Sequence, residues 1–215
     1  MKHTYMKKTD PKELLFSRNP RISLADVRGW IERQKQGDET VKVPLIKFID
    51  HRLRGRYITP LQNVEPRKFR SGFLMMAASC LLIEALQSFF AGLKDTKNVS
   101  AESFKDFFDR NKVNFPKFAE CFPGVAANKK ENNFYYNIRC GILHQAETTD
   151  GYSIVRDKSY LFDPTEQTVN ADEFIDAVEI CLDKYLNELR ARVVTSERWN
   201  KAADKLTYIC DNFEK

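Results

Sequence analysis

A chain of 215 residues is long enough to form one large domain, or a core with one appendage, and to bury about 70% of the surface that it exposes when unfolded. Its 8 glycines and 8 prolines are too few for a loop-rich or all-β protein, which favours helices. Its five cysteines are widely spaced and contain no Cys-x-x-Cys pair, which excludes a typical disulfide framework or zinc knuckle. We therefore expect a cytoplasmic, mainly α protein with reduced thiols, no metal and no other cofactor.

Residues 1–60 predict an N-terminal helical extension. A polar lead-in, with one short helical turn around residues 12–16, precedes two helices. The first begins at Ser23, where a Ser-x-x-Asp pattern is typical of helix capping, and ends at Gly37. The second is predicted over residues 44–53, with a proline at its first position.

Residues 61–215 predict a bundle of four to five helices. Residues 66–92 form the longest apolar segment, which polar residues such as Ser79 and Gln87 interrupt. This pattern is typical of a core helix rather than of a membrane span, which needs roughly 20 consecutive apolar residues. The chain is therefore expected to have no membrane contact.

The rest of the bundle is predicted from caps and hydrophobic periodicity. Further helices are expected from Ser100 as a cap, over residues 129–147, from the cap Asn170 to about residue 192, and from about residue 195. Within about residues 151–169 the apolar spacing changes, with Tyr152 and Ile154 and then Tyr160 and Phe162, and the turn sequence Asp-Pro-Thr follows at residues 163–165. That segment predicts a small β-hairpin insertion.

The positive charge of the chain is concentrated in one stretch. Residues 47–70 contain seven cations and two carboxylates, so this stretch alone equals the net excess of +5. Clustered cations favour a polyanion such as RNA, because neutralised phosphates release condensed counterions. A solvated basic helix end and loop is the alternative. The candidate nucleic-acid-binding residues are Arg52, Arg54, Arg56, Arg67, Lys68 and Arg70.

One predicted helix carries the segment Arg139-Cys140-Gly141-Ile142-Leu143-His144. With aromatic residues before it, a long core helix upstream and an amphipathic helix downstream, it resembles the HEPN superfamily over roughly residues 66–192. The resemblance implies a bundle of about four helices. In the active nucleases of that superfamily, an Arg-x4-6-His motif on a late helix cleaves RNA, which makes Arg139 and His144 the candidate catalytic residues.

Helix geometry sets the directions in which the side chains of Arg139 and His144 point. Five residues along an α-helix rotate the side chain by about 500°, so Arg139 and His144 are expected to point some 140° apart. A two-fold dimer that packs the two motif helices together would bring both pairs into one cleft. The resemblance implies that active members work in this way, so we expect a homodimer.

The chemistry that suits such a cleft is metal-independent cleavage of RNA through the adjacent 2′-hydroxyl. Histidine titrates near neutral pH and can act as a general base or acid. Arginine stays charged and stabilises the phosphorane as its charge develops. The need for a 2′-hydroxyl selects RNA over DNA.

Three residues are candidates for supporting roles. Glu84 lies in an apolar segment, where an unpaired carboxylate would be costly, so it is expected either to pair with Arg139, to orient His144, or to point to solvent. Asn137 and Gly141 share a face with His144 by helical spacing. Asn137 could bind substrate or be an ordinary polar position, and Gly141 could let two helices approach closely.

Two residues depart from the HEPN pattern and leave alternatives open. Cys140 stands where active members usually have Asn, Asp or His, and Ala146 stands where members silenced by nucleotidylation have Tyr. The first hypothesis is a ribonuclease toxin or phage-defence effector, with an antitoxin or defence-system protein as a further partner. The second is an inactive scaffold that binds RNA, nucleotide or a partner protein. A regulatory helical protein without a nucleic-acid role is the third.

Overall fold

The computed structural model describes residues 15–18, 20–62, 64, 71–121, 134–156 and 159–214, most of which are helical. The prediction of a mainly α protein is thereby confirmed. Small sheets lie near the N-terminus and after the motif.

The described chain begins with a two-stranded antiparallel hairpin of β1 (Leu15–Arg18) and β2 (Arg21–Ser23). Residues 12–14 of the predicted helical turn lie outside the described residues, and for residues 15 and 16 the prediction is wrong. The reason is tertiary, because the buried Phe16 ring packs 5.2 Å from the Phe48 ring and 4.2 Å from the Phe213 ring. Because the backbone is extended here, the Phe16 side chain reaches the core.

Two helices follow, close to their predicted positions. α1 (Leu24–Lys35) begins with a capping box in which Ser23 and Asp26 satisfy each other's backbone N–H groups. A 3₁₀ turn, Glu39–Val41, leads directly into α2 (Lys42–Leu53), which therefore begins two residues before the predicted start.

The next two segments are a π-helical turn, Arg54–Ile58, and the short helix α3 (Thr59–Gln62). The central helix α4 (Gly72–Ala91) ends at Gly92, whose φ of 73° is left-handed and suits glycine. By length and composition α4 is the one helix in the described ranges that could cross a bilayer, but 56% of the segment tested is buried inside the fold. Core helices of soluble proteins share these properties.

After α4 the chain forms α5 (Ser100–Asn111) and α6 (Phe118–Cys121). Ser100 is the first helical residue rather than the predicted cap, and no side-chain hydrogen bond caps α5. Residues 129–133 of the predicted motif helix lie outside the described residues. From Phe134 the chain forms a π-helical turn, Tyr135–Cys140, and then α7 (Gly141–Gln145).

The predicted hairpin insertion is a mixed three-stranded sheet of β3 (Ser153–Val155), β4 (Phe162–Asp163) and β5 (Thr168–Asn170). Strands β4 and β5 are antiparallel and form the hairpin, whereas β3 pairs with β5 in parallel. The apolar spacing places strand structure at β3, but it could not predict the parallel pairing of β3 with β5, because that pairing depends on how the chain returns across the sheet.

The last two helices are α8 (Ala171–Ala191) and α9 (Glu197–Phe213). Asn170 caps α8 as predicted, since its side chain accepts hydrogen bonds from the backbone N–H groups of Asp172 and Glu173. Helix α4 packs against α5, α8 and α9, while α1 packs on α9 and α2 on α8. The apolar residues of the N-terminal helices therefore share one core with the bundle.

Candidate functional site

The motif lies where π-helical backbone gives way to α-helix. Arg139 belongs to the π-helical turn Tyr135–Cys140, and His144 lies in α7. Because a π-helical turn holds more residues than an α-helical turn, side chains before and after it do not keep α-helical spacing. Asn137 and Gly141 are buried whereas His144 is exposed. Asn137 and Gly141 therefore do not lie on the exposed surface that His144 occupies, and the predicted shared face stays a prediction.

Arg139 is held by the carboxylate of Glu84 on α4, 55 residues away in the sequence. Its Nε and Nη2 atoms lie 2.9 and 2.8 Å from one carboxylate oxygen, and the two side chains are 17% and 16% exposed. The guanidinium also lies 5.4 Å from the centroid of the Tyr135 ring. Glu84 is thus paired with Arg139 rather than turned to solvent.

This pairing decides the electrostatic state of Arg139. Burial disfavours the charged guanidinium, but the charge and hydrogen bonding of Glu84 outweigh it and raise the pKa of Arg139 above its ordinary value. Arg139 is therefore a permanent cation. Its Nη1 atom faces the Cys140 sulfur at 4.0 Å, which leaves this edge less firmly bound than the edge toward Glu84.

His144 is separate from this pair. It lies in the last turn of α7, and Ala146, the residue that follows this helix, has a left-handed φ of 56°. Within the described ranges no hydrogen bond or ion pair joins its imidazole to Arg139 or Glu84. The structure therefore brings Glu84 and Arg139 together and leaves His144 on the surface.

Arg139 and Glu84 lie at one end of an open groove of about 410 Å³ between α4, α7 and the first π-helical turn. We call it the motif groove. Three of its side chains are exposed leucines: Leu74 at 60%, Leu81 at 43% and Leu143 at 49%. The other lining residues are Tyr57, Ala77 and Ala78. Exposed apolar patches of this kind mark interaction surfaces.

Comparison of the chain with protein-family models, curated proteins and solved structures found no match.

Sequence reasoning missed the motif groove, although a signal was present. The segment that forms α4 has apolar residues around most of its circumference, more than one buried face requires. Leu74 and Leu81, seven residues apart, lie on a second, outward face. Their exposure depends on which neighbours pack against α4, which the sequence pattern alone does not state.

Asn137 anchors the loop that follows the motif. It is 2% exposed, and both its backbone carbonyl and its side-chain Oδ1 accept hydrogen bonds from Thr149 at 3.0 Å. Of the two sequence hypotheses for Asn137, substrate contact and an ordinary polar position, the buried location favours a structural role.

Gly141 permits a close approach, but not the predicted one between two helices. A Cβ atom at this position would lie 2.5 Å from the backbone oxygen of Glu147 and 3.3 Å from the Cα of Thr148. The neighbour is the chain's own loop, which folds back over α7.

The basic segment is partly neutralised within the fold. Arg54 forms ion pairs with Asp50, Glu179 and Asp183. Arg56 is exposed and donates to the backbone oxygen of Phe16 at 2.9 Å, and burial lowers the pKa of Arg52, which lies 5.7 Å over the Phe16 ring. Their predicted contacts with RNA stay predictions. Arg67, Lys68 and Arg70 lie outside the described residues.

The residues of the described ranges contain no cluster of three or more His, Cys, Asp or Glu side chains that could hold a metal ion. Cys140 is half-buried beside Arg139, while burial raises the pKa of the nearby Cys80 thiol well above its usual range. Arg139 and His144 are therefore the side chains of the motif with evident acid–base or electrostatic chemistry.

Proposed function

We propose that this chain is a HEPN-like, metal-independent endoribonuclease in which two copies of the chain share a catalytic site. Arg139 and His144 are its catalytic residues. The observation that carries the proposal is the Arg139 guanidinium, which Glu84 orients beside the exposed motif groove. An ordered cation next to an uncovered apolar surface suits a site that a second molecule completes.

Arg139 has the role of phosphate ligand. Two of its nitrogen atoms donate to one oxygen of Glu84, so the plane of the guanidinium is set before substrate arrives. The Nη1 edge remains available for a phosphate oxygen. A preorganised cation stabilises the extra charge of a phosphorane without reorganising during the reaction.

His144 has the role of general acid or base. Its exposed position allows the imidazole to reach a substrate that lies across the surface. In the reaction the 2′-oxygen loses its proton and attacks phosphorus, and the bond from phosphorus to the 5′-oxygen breaks. The products are a 2′,3′-cyclic phosphate and a 5′-hydroxyl that has taken up a proton.

A second copy of the chain is the occupant that we assign to the motif groove. In one chain Arg139 lies in the groove whereas His144 lies outside its lining. Two-fold packing of Leu74, Leu81 and Leu143 against their counterparts would bury these exposed side chains and bring the two motifs together. Arg56 and the cations at positions 67, 68 and 70 would then extend the RNA contact.

The test incubates the purified protein with labelled RNA in EDTA, beside the variants Arg139→Ala and His144→Ala. We expect cleavage that leaves cyclic phosphate ends, and a loss of at least about 100-fold in each variant, because each removes a group that acts in the transition state. DNA of the same sequence should stay intact, since it lacks the attacking hydroxyl.

Matched controls are available for both substitutions. Arg190→Ala removes an exposed arginine of α8 that donates to the nearby Asn187, and His51→Ala removes a histidine of α2 that contacts Ser17. Both should cleave at the wild-type rate. Intact RNA in every wild-type reaction would contradict the proposal.

The second candidate is a scaffold that binds RNA without cutting it. Two observations favour it: Cys140, which follows Arg139, is a weak hydrogen-bonding group, and Glu84 already compensates the charge of Arg139. Such a protein would retain RNA in a mobility-shift assay while leaving it intact. The Arg139→Ala variant would then weaken binding without any effect on RNA integrity.

A further inference from the structure

A second pocket lies between α4, α5 and α8 and shares no lining residue with the motif groove. We call it the α5 pocket. Its volume is about 190 Å³, and a cavity of about 150 Å³ is enough to admit benzene. The pocket therefore has room for a single ring or a short branched chain.

Most of the buried lining of the α5 pocket is apolar. Asn111 is its buried polar residue, and the amide of Asn111 donates to the backbone oxygen of Phe107. Four further buried side chains come from all three helices. They are Leu86 on α4, Phe107 on α5, and Cys181 and Tyr185 on α8. Burial raises the pKa of the Cys181 thiol to about 12, so this sulfur is an apolar surface rather than a nucleophile.

Arg110 is a half-buried cation at the mouth of this pocket, and its nearest partners are uncharged. Its guanidinium stacks 3.4 Å from the centroid of the Phe90 ring and donates to Oε1 of Gln87 at 2.7 Å. Among the described residues no carboxylate lies within 4.0 Å of it; Asp106 and Glu188 act on it only from farther away. Arg110 therefore lacks a direct counterion.

A second arginine adds to the uncompensated positive charge around Arg110. Arg198 stacks on the same Phe90 ring at 3.4 Å, and its positive charge is close enough to disfavour that of Arg110. Burial and Arg198 together lower the pKa of Arg110 to about 10. An anion held in the pocket would relieve this penalty.

Two other charged side chains, Lys184 and Glu188, lie on the rim of the pocket. Lys184 is an exposed cation on the rim, and no carboxylate of the described ranges pairs with it. Glu188, the acidic residue on the rim, already accepts hydrogen bonds from Arg192 and Arg198 at 2.9 and 3.0 Å. Arg110 and Lys184 thus remain as cations available to a ligand.

We propose that the α5 pocket binds a small organic anion, with a phosphate or carboxylate held by Arg110 and Lys184 and an apolar body of about one ring against Leu86 and Phe107. The site is independent of the proposed RNA cleavage. Its ligand would be a small metabolite-sized effector rather than a polymer, because a volume of about 190 Å³ holds about one ring.

The test is a calorimetric titration of the full chain with phenyl phosphate and with sodium benzoate, and separately with inorganic phosphate and neutral benzamide. We expect saturable binding of at least one ring-bearing anion, about tenfold tighter than that of benzamide, because the amide can still accept a hydrogen bond from the arginine but has no negative charge to attract it. A preference between the two anions would distinguish a phosphate from a carboxylate ligand.

Variants link the binding to the proposed residues. Arg110→Gln should weaken binding of the preferred anion about tenfold. Lys184→Gln changes an exposed side chain, which usually alters stability little, and should weaken this binding several-fold. Arg190→Gln, elsewhere on α8, should bind like wild type. The proposal fails if wild type binds neither ring-bearing anion below about 10 mM, if inorganic phosphate binds as tightly as phenyl phosphate and benzoate, or if the affinity is unchanged in both pocket variants.

Discussion

At the residue scale, Glu84 connects the central helix to the motif. Its carboxylate holds two nitrogen atoms of Arg139 in a pair that is mostly shielded from water. Partners of a buried charge stabilise a fold chiefly because removing one leaves the other uncompensated. In the proposed ribonuclease Glu84 is a positioning residue, since it acts through Arg139 and not on RNA.

The variant Glu84→Gln separates positioning from folding. We expect it to lower the free energy of unfolding by about 1–3 kcal/mol, since the ion pair is replaced by a hydrogen bond from the guanidinium to a neutral amide oxygen. Cleavage of RNA should fall by about 10- to 100-fold, mainly in kcat, because the guanidinium loses its fixed orientation. Urea unfolding and single-turnover cleavage measure the two effects.

A matched control breaks a comparable pair elsewhere. Glu188 pairs with Arg198, and these side chains are 26% and 15% exposed. Glu188→Gln should lower stability to a similar degree and leave cleavage unchanged. If Glu84→Gln also left cleavage unchanged while it lowered stability, Glu84 would have a purely structural role.

At the scale of the element, the motif segment depends on a change of helix type and on one glycine. The π-helical turn Tyr135–Cys140 places Arg139 on the groove, and α7 then ends in a loop that folds back on Gly141. Asn137 fastens the same loop through Thr149. The short helix that carries His144 is therefore held by its own downstream chain.

Replacing this glycine tests the loop contact. Gly141→Ala would place a methyl group 2.5 Å from the backbone oxygen of Glu147, where backbone rather than a flexible side chain must move. We expect a loss of about 1–3 kcal/mol in the free energy of unfolding, the usual cost of overpacking. Thermal or urea unfolding monitored by circular dichroism provides the measurement.

Gly29 in α1 serves as the comparison. A Cβ there meets nothing within 4 Å, so Gly29→Ala should stabilise the protein by about 0.5–1 kcal/mol through helix propensity alone. If both substitutions changed the free energy of unfolding equally, the loop over Gly141 would move aside without an energetic cost.

At the scale of the whole molecule, the apolar faces of α1 and α2 lie in the core of the bundle, whereas the motif groove is left uncovered. Leu45, Phe48 and Ile49 of α2 are at most 1% exposed, whereas Leu74 and Leu143 at the groove are about half exposed. The N-terminal helices thus complete the core. The groove is the apolar surface that we assign to a second copy of the chain.

Mixing two inactive variants tests whether the site is shared. Arg139→Ala and His144→Ala are each expected to be inactive alone, but dimers that contain one of each have one intact pair across the interface. Refolded together, they should regain about a quarter of the wild-type cleavage rate, because about half of the dimers are mixed and each has one of two pairs. Sedimentation measures the dimer and labelled RNA the activity.

The interface itself supplies the control. Leu81→Glu in both chains places a carboxylate in the groove and should yield monomers without regained activity. Stable mixed dimers without any regained cleavage, alongside an active wild type, would place both catalytic side chains within one chain.

The sequence by itself determined the elements that local interactions decide. The capping box of Ser23 and Asp26 and the cap at Asn170 mark helix starts correctly, because each acts within a few residues of itself. The mainly α class and the motif segment follow from the same kind of pattern.

Only the tertiary structure decided where the motif points and what surrounds it. Glu84 pairs with Arg139, which lies 55 residues later in the sequence, and Arg54 pairs with Glu179, 125 residues later. Phe16 was predicted in a helical turn but packs against Phe48 in the core. Such contacts depend on which helix faces pack together, and the π-helical turn depends on backbone hydrogen bonding that side-chain periodicity does not report. Local patterns therefore locate the candidate site, and long-range packing gives it its charge state and its exposed groove.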